Sequence, residues 1–227
     1  MTHPCEVRLR LLPIAEEKRG VIGLYLDVKK IVIDAGLEQE LEWQARVEIA
    51  NVCESDFLSE AAWVILSAGM RESVIRSIYP MIFNAFGGFQ SASQVVNNRE
   101  KCFAGAFSVF RNRRKIQAIL DLSERVADEG FEAVKLGIRS VGVEYLYRLP
   151  FMGPATAAHL AKNIGLSVCK PDRHLVRIAR CLGYSSASLL CEEIANTCGD
   201  KASVVDLVLW RFATLHKKYL KFIQERI

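Results

Sequence analysis

The residues best equipped for chemistry lie together at 170–177, Lys-Pro-Asp-Arg-His-Leu-Val-Arg. Asp172 follows Pro171 at the apparent start of a helix running from Arg173 to Leu182, where an acid is favoured as the N-cap and the positive end of the helix dipole favours its charge. A carboxylate held this way can stabilise positive charge on a reacting carbon, or orient and deprotonate a water. Taken alone it serves equally well as a helix cap. His174 and Arg177 are three residues apart and share one helical face, with Lys170 and Arg173 adding charge nearby.

The segment just upstream must position this acid. Val141 to Gly183 reads as a short helix ending near Leu149-Pro150, a tight turn through Phe151-Met152-Gly153, and a second helix opening at Pro154, a residue favoured at the first helical position. Ala155, Thr156, Ala157 and Ala158 are small enough to let helices approach closely, and Gly165 suits the helix end. Such a unit presents unpaired backbone N–H groups at the start of its second helix. With the helix dipole these form an anion site suited to a DNA phosphate. An ordinary hairpin packing two core helices is the equal alternative at this point.

Charge distribution favours a polyanion-facing side. The net charge is only +4, yet seven acids (Glu38, Glu40, Glu42, Glu48, Glu54, Asp56, Glu60) stand against one base, Arg46, between 38 and 60. Positive charge gathers at Arg111, Arg113, Arg114 and Lys115, at Lys170, Arg173, Arg177 and Arg180, and at Lys217, Lys218 and Lys221.

Leu149-Pro150-Phe151-Met152-Gly153-Pro154-Ala155-Thr156-Ala157 resembles the LPGxGxxTA signature of the helix-hairpin-helix DNA glycosylase superfamily, which includes endonuclease III and the adenine and alkyladenine glycosylases. About fifteen residues on, Asp172, His174 and Arg177 match the family's D-x-H-x-x-R context. Leu66-Ser67-Ala68 resembles the segment that opens the family's helical barrel, and Arg111 to Ile119 the helix preceding the hairpin. The resemblance spans roughly residues 61–183. It implies an all-α fold of two helical lobes with a cleft between them: a six-helix lobe at 59–167 with its hairpin at about 143–165, and a second lobe from 1–58 and 168–227 carrying Asp172.

The implied activity is removal of a modified or damaged base that has been flipped into the cleft. Breaking an N-glycosidic bond builds positive charge on the deoxyribose, which Asp172 would stabilise while activating water. Family members that also cleave the backbone carry a lysine just before the motif's Thr-Ala, to form a Schiff base. Ala155 stands there, so a monofunctional, water-using enzyme is expected. Lys162, two turns on, would sit some 10 Å further along the helix. A bifunctional glycosylase/lyase using a displaced lysine, and a non-catalytic DNA-binding module, are the alternatives.

DNA contacts are expected from Phe151, Met152, Gly153, Ala155, Thr156, Lys170, His174 and Arg177. Gly69 replaces the family's intercalating glutamine, leaving Met70 or Arg71 to fill the gap left by the base. Phe151 replaces the first hairpin glycine; if that position needs φ > 0, phenylalanine is strained there. A monovalent cation, K+ or Na+, at the hairpin carbonyls is a candidate, and no other cofactor is expected. Cys191 and Cys198 match only the first interval of the iron–sulfur spacing found in some relatives, so no cluster is expected. Aromatics that could stack on the base are Trp210, Tyr145, Tyr147, Trp63 and Phe110. The family's breadth admits repair or defence against modified phage DNA.

Composition agrees with this class. At 51% hydrophobic and 25% charged, the 227 residues can bury a substantial core. Seven cysteines, an odd number without CxxC, read as buried small hydrophobes rather than a disulfide framework. Apolar runs such as Ala61 to Met70 fall short of the roughly 18–20 residues that cross a bilayer. Glu6, Arg8 and Arg10 occupy the place of a signal peptide's apolar run. A cytoplasmic monomer acting on double-stranded DNA, nucleoid-associated if bacterial, is therefore expected, with no membrane partner. Helical periodicity marks Ala61–Phe86, Lys115–Ala127 and Ser203–Gln224, while Gly20–Ile33 could pass for a strand.

Overall fold

The computed structural model describes residues 16–227, with side chains from residue 20 onward. Glu6, Arg8, Arg10 and Cys5 lie outside the described residues. Fourteen α-helices follow one another, with no strand among the described residues: α1 Glu16–Val32, α2 Glu38–Arg46, α3 Glu54–Ser67, α4 Glu72–Ala85, α5 Ala92–Asn97, α6 Arg99–Val109, α7 Arg113–Glu129, α8 Phe131–Val141, α9 Val143–Leu146, α10 Pro154–Asn163, α11 Arg173–Cys181, α12 Ala187–Cys198, α13 Ala202–Leu215 and α14 Tyr219–Gln224.

Gly20–Ile33 is helical. Val21, Leu24, Tyr25, Val28 and Val32 recur at helical spacing and are all buried. Ala61–Phe86 is two helices rather than one. Gly69 adopts φ +69° between α3 and α4, and the buried Lys115 side chain donates to the carbonyls of Leu66 (2.5 Å) and Ala68 (2.6 Å). The apolar pattern runs through this break because both helices turn buried faces to one core. Ser203–Gln224 likewise divides at His216, whose extended backbone lets α14 fold back until the rings of Phe212 and Phe222 lie 5.0 Å apart.

Buried apolar residues form two clusters. The first draws on residues 52–164, from α3 to α10, eight helices where six were expected because Gly and Asn residues punctuate the chain into short segments. The second joins α1 and α2 to the C-terminal helices, spanning Val21 to Leu41 and Cys169 to Ile223. The chain passes between them at two places that touch. At Gly165 (φ +98°), where α10 ends, an added Cβ would lie 2.6 Å from the Cα of Glu48 in the other connection. Only glycine permits this approach of the two connections.

Cys102, Cys169 and Cys191 are buried, Cys181 and Cys198 partly so, and all are free thiols. No helix among the described residues is long and apolar enough to cross a membrane. No group of three or more His, Cys, Asp or Glu among them could hold a metal ion.

Candidate active site

An open cleft of about 1340 Å³ separates the two clusters. Its walls are α3 and the Gly69 turn, one face of α4, one face of α10, the loop at 170–174 and one face of α13, with α2 at the far edge. Asp172 lies in it, half-buried, as does the start of α10 at Ala155 and Thr156. The first turn of α10 and the acid thus share one groove.

Asp172 caps α11. Its Oδ1 accepts from the backbone N–H of His174 (2.8 Å) and of Leu175 (3.0 Å), and no described residue bonds Oδ2. One oxygen therefore fixes the side chain while the other is left to the cleft. The Asp172 N–H donates to the Lys170 carbonyl at 2.7 Å, and the Lys170 N–H donates to Oδ2 of Asp206, also at 2.7 Å. Asp206 is almost wholly buried on α13 and accepts from the Lys162 ammonium through its other oxygen. This buried pair secures the short loop that delivers Asp172.

Lys162 is therefore closer to the chemistry than its position along α10 suggested. The cleft runs along that helix, and the long side chain reaches into it, but its amine is already paired. Lys170, an expected DNA contact, also lines the cleft. It is half-buried in the cleft, with Nζ 3.3 Å from Nδ1 of His159. Burial lowers its pKa, and Lys162 lowers it further. His159 is held well below the usual imidazole range by burial and by Lys170 and Lys162, and so is neutral.

The chain turns at Phe151–Gly153 between α9 and α10. Gly153 precedes α10 with no side-chain cap, leaving the first-turn N–H groups unclaimed by any side chain, and Thr156 donates to the carbonyls of Phe151 (2.9 Å) and Gly153 (3.0 Å). Phe151 does take φ +67°, a left-handed conformation that strains any residue with a Cβ. Its ring rests on the first core with the Arg114 guanidinium 5.5 Å from its centroid. Met152 is a correction. At 5% exposure its side chain belongs to the core, so only its backbone can meet a ligand.

Among the other expected contacts, Met70 and Arg71 are exposed at the cleft's mouth. His174 lines the cleft but its ring is engaged: Arg173 donates to Nε2 at 3.3 Å, and Nδ1 faces the Tyr219 hydroxyl at 3.2 Å. Arg177 is exposed and outside the cleft lining. Lys115 is internal, so it adds nothing to an exposed basic face.

Of the aromatics, Trp63 and Trp210 line the cleft, whereas Tyr145 is buried against Glu129, Phe110 packs on the first core and Tyr147 is exposed outside the cleft. Sequence reasoning missed Tyr79 and Trp43, and the polar residues Glu60, Asn163, Glu72, Arg211 and Asp206. Glu60 and Asn163 bond to each other (2.9 Å), and burial raises the Glu60 pKa. At the rim, Arg211 donates to both oxygens of Glu40 and lies 3.5 Å from Glu72, which also accepts from Arg76. Burial pushes the Glu72 carboxyl up, but Arg76 and Arg211 outweigh it and hold it below its usual range.

This all-helical fold has a solved counterpart. The chain superposes on the 8-oxoguanine DNA glycosylase of Thermotoga maritima with a TM-score of 0.57, at 19% identity, over 84% of this chain and 95% of that one. The chain has the fold of a DNA glycosylase. No protein-family model and no curated protein matches the sequence. Ala155 is exposed at the cleft wall.

Proposed function

We propose that the protein is a DNA glycosylase that hydrolyses the N-glycosidic bond of an extruded, modified base and leaves an abasic site. The observation that carries this is Asp172: a helix-capping carboxylate with one oxygen unclaimed by any described residue, in the same groove as the first turn of α10. The N–H groups at the start of α10 would hold a phosphate of the damaged strand. With the strand so anchored, the nucleotide rotates into the cleft, at a cost of a few kcal/mol in lost stacking. Met70 or Arg71 enters the space it vacates. As the base departs, the free Asp172 oxygen stabilises the oxocarbenium-like sugar and takes a proton from the attacking water.

Ala155 carries no amine, and the Lys162 amine is already paired with Asp206. Hydrolysis without strand cleavage follows. One observation favours a second reading. The Lys170 amine is depressed by burial, faces a neutral imidazole, and lies two residues from Asp172, so it could attack C1′ and form a Schiff base. Borohydride reduction on abasic-site duplex separates the two, since a covalent adduct lost in Lys170→Met establishes the lyase and its absence the hydrolase.

The reading needs no cofactor. A K+ or Na+ at the hairpin carbonyls would assist phosphate binding without entering the chemistry. The partner is double-stranded DNA and the protein acts as a monomer, for repair or against modified phage DNA in the cytoplasm. Mass spectrometry of bases freed from oxidised, alkylated, mismatched and phage-modified duplexes tests the proposal. A free base with a matching abasic site is expected. Retention of every base in the panel contradicts it.

A further inference from the structure

The cleft holds one polar pair that the chemistry of Asp172 does not use. Glu60 on α3 accepts from Asn163 Nδ2 through Oε2, and no described residue bonds its Oε1. No cation pairs with it among the described residues; its charged neighbour is another acid, Asp56. Trp63, one turn further along α3, and Tyr79, edge-on to Trp63 with centroids 5.2 Å apart, supply aromatic surface beside it. A half-buried carboxyl without a counter-ion is disfavoured as the anion unless donors reach it.

Resting on the proposed glycosylase activity, we propose that Glu60, oriented by Asn163, reads the extruded base, and that this base presents two adjacent N–H donors: guanine or one of its oxidised derivatives. An ionised carboxylate offers two acceptor oxygens and no donor. The N1–H and N2–H of a guanine-type base meet such a pair side by side, as a guanidinium does. Adenine and cytosine each set a ring lone pair beside their amino group, and thymine flanks its single N–H with two carbonyls. Each would aim at least one lone pair at a carboxylate oxygen. The raised Glu60 pKa is the expected state of this site without a base, because burial disfavours the charge until donors arrive.

The test compares single-turnover release of 8-oxoguanine with that of 8-oxohypoxanthine, which lacks only the 2-amino group, by wild type and by Glu60→Gln. Wild type should prefer 8-oxoguanine by at least about 100-fold, because the analogue leaves a buried oxygen unpaired. Glu60→Gln, which must turn a donor toward the base, should reduce that preference to within about tenfold, with undamaged-duplex affinity unchanged. An unaltered preference in Glu60→Gln overturns the assignment. So does equal release of the two bases by wild type, a comparison that needs no variant. Release confined to adenine- or cytosine-derived bases overturns the assignment while leaving the glycosylase reading intact. Release of no base overturns the glycosylase reading and this one with it.

Discussion

The cleft is bounded by two ion-pair systems of like composition and unlike burial. At the floor, Lys162 and Asp206 have side chains 8% and 2% exposed, and they hold the loop bearing Asp172. At the rim, Arg211, Glu40, Glu72 and Arg76 range from 16% to 64% exposed and join α13 and α2 of the second core to α4 of the first. Burial decides what each can do. The floor pair cannot lose a partner without stranding a charge in the interior, so it works as a rigid anchor. The rim network keeps access to water at every member, so its pairs are weaker and the network joins the two clusters less rigidly.

Removing a floor partner is expected to have the largest effect. Asp206→Ala strands the Lys162 ammonium and removes the acceptor of the Lys170 N–H, and should cost about 3–5 kcal/mol of stability. Urea denaturation measures it, and a loss below about 1 kcal/mol erases the distinction between floor and rim. Arg211→Met should cost only about 1 kcal/mol, and the difference from wild type should narrow as salt rises, because screening weakens exposed pairs first. A large, salt-independent loss would mean that the rim is as rigid as the floor.

The smallest effect sharpens the picture of the floor. His159 has a folded pKa below its unfolded value, so the unfolded chain binds more protons as pH drops below about 6.5. Its contribution is full above that pH and declines below it. Thermal melts between pH 7 and pH 5 should fall more steeply for wild type than for His159→Gln. Equal slopes would show that His159 is not shielded beside Lys170.

Local features of this site were legible in the sequence because short-range rules govern them. Asp172 caps α11, Pro154 opens α10, and Gly165 follows a helix end with positive φ. Even the strain at Phe151 follows from one residue in a known turn. What escaped was pairing across sequence distance. Asp206 is 44 residues from Lys162, and Glu60 is 103 from Asn163; nothing in helical periodicity marks Asp206 as different from a solvated acid. Lys162 was misjudged because rise along the axis says nothing of which way a groove runs. The Gly69 break was hidden because apolar residues continue on both sides of it, and only Lys115, 47 residues on, reveals how the exposed carbonyls are satisfied.

The central claim is that the carboxylate of Asp172 acts on the sugar of an extruded nucleotide. Asparagine caps helices as well as aspartate does, so Asp172→Asn should fold normally. Single-turnover base release by this variant, measured beside its affinity for the same duplex, tests the claim most directly. The rate should fall at least about 100-fold with binding preserved. Base release at the wild-type rate would remove Asp172 from the chemistry and leave it a helix cap.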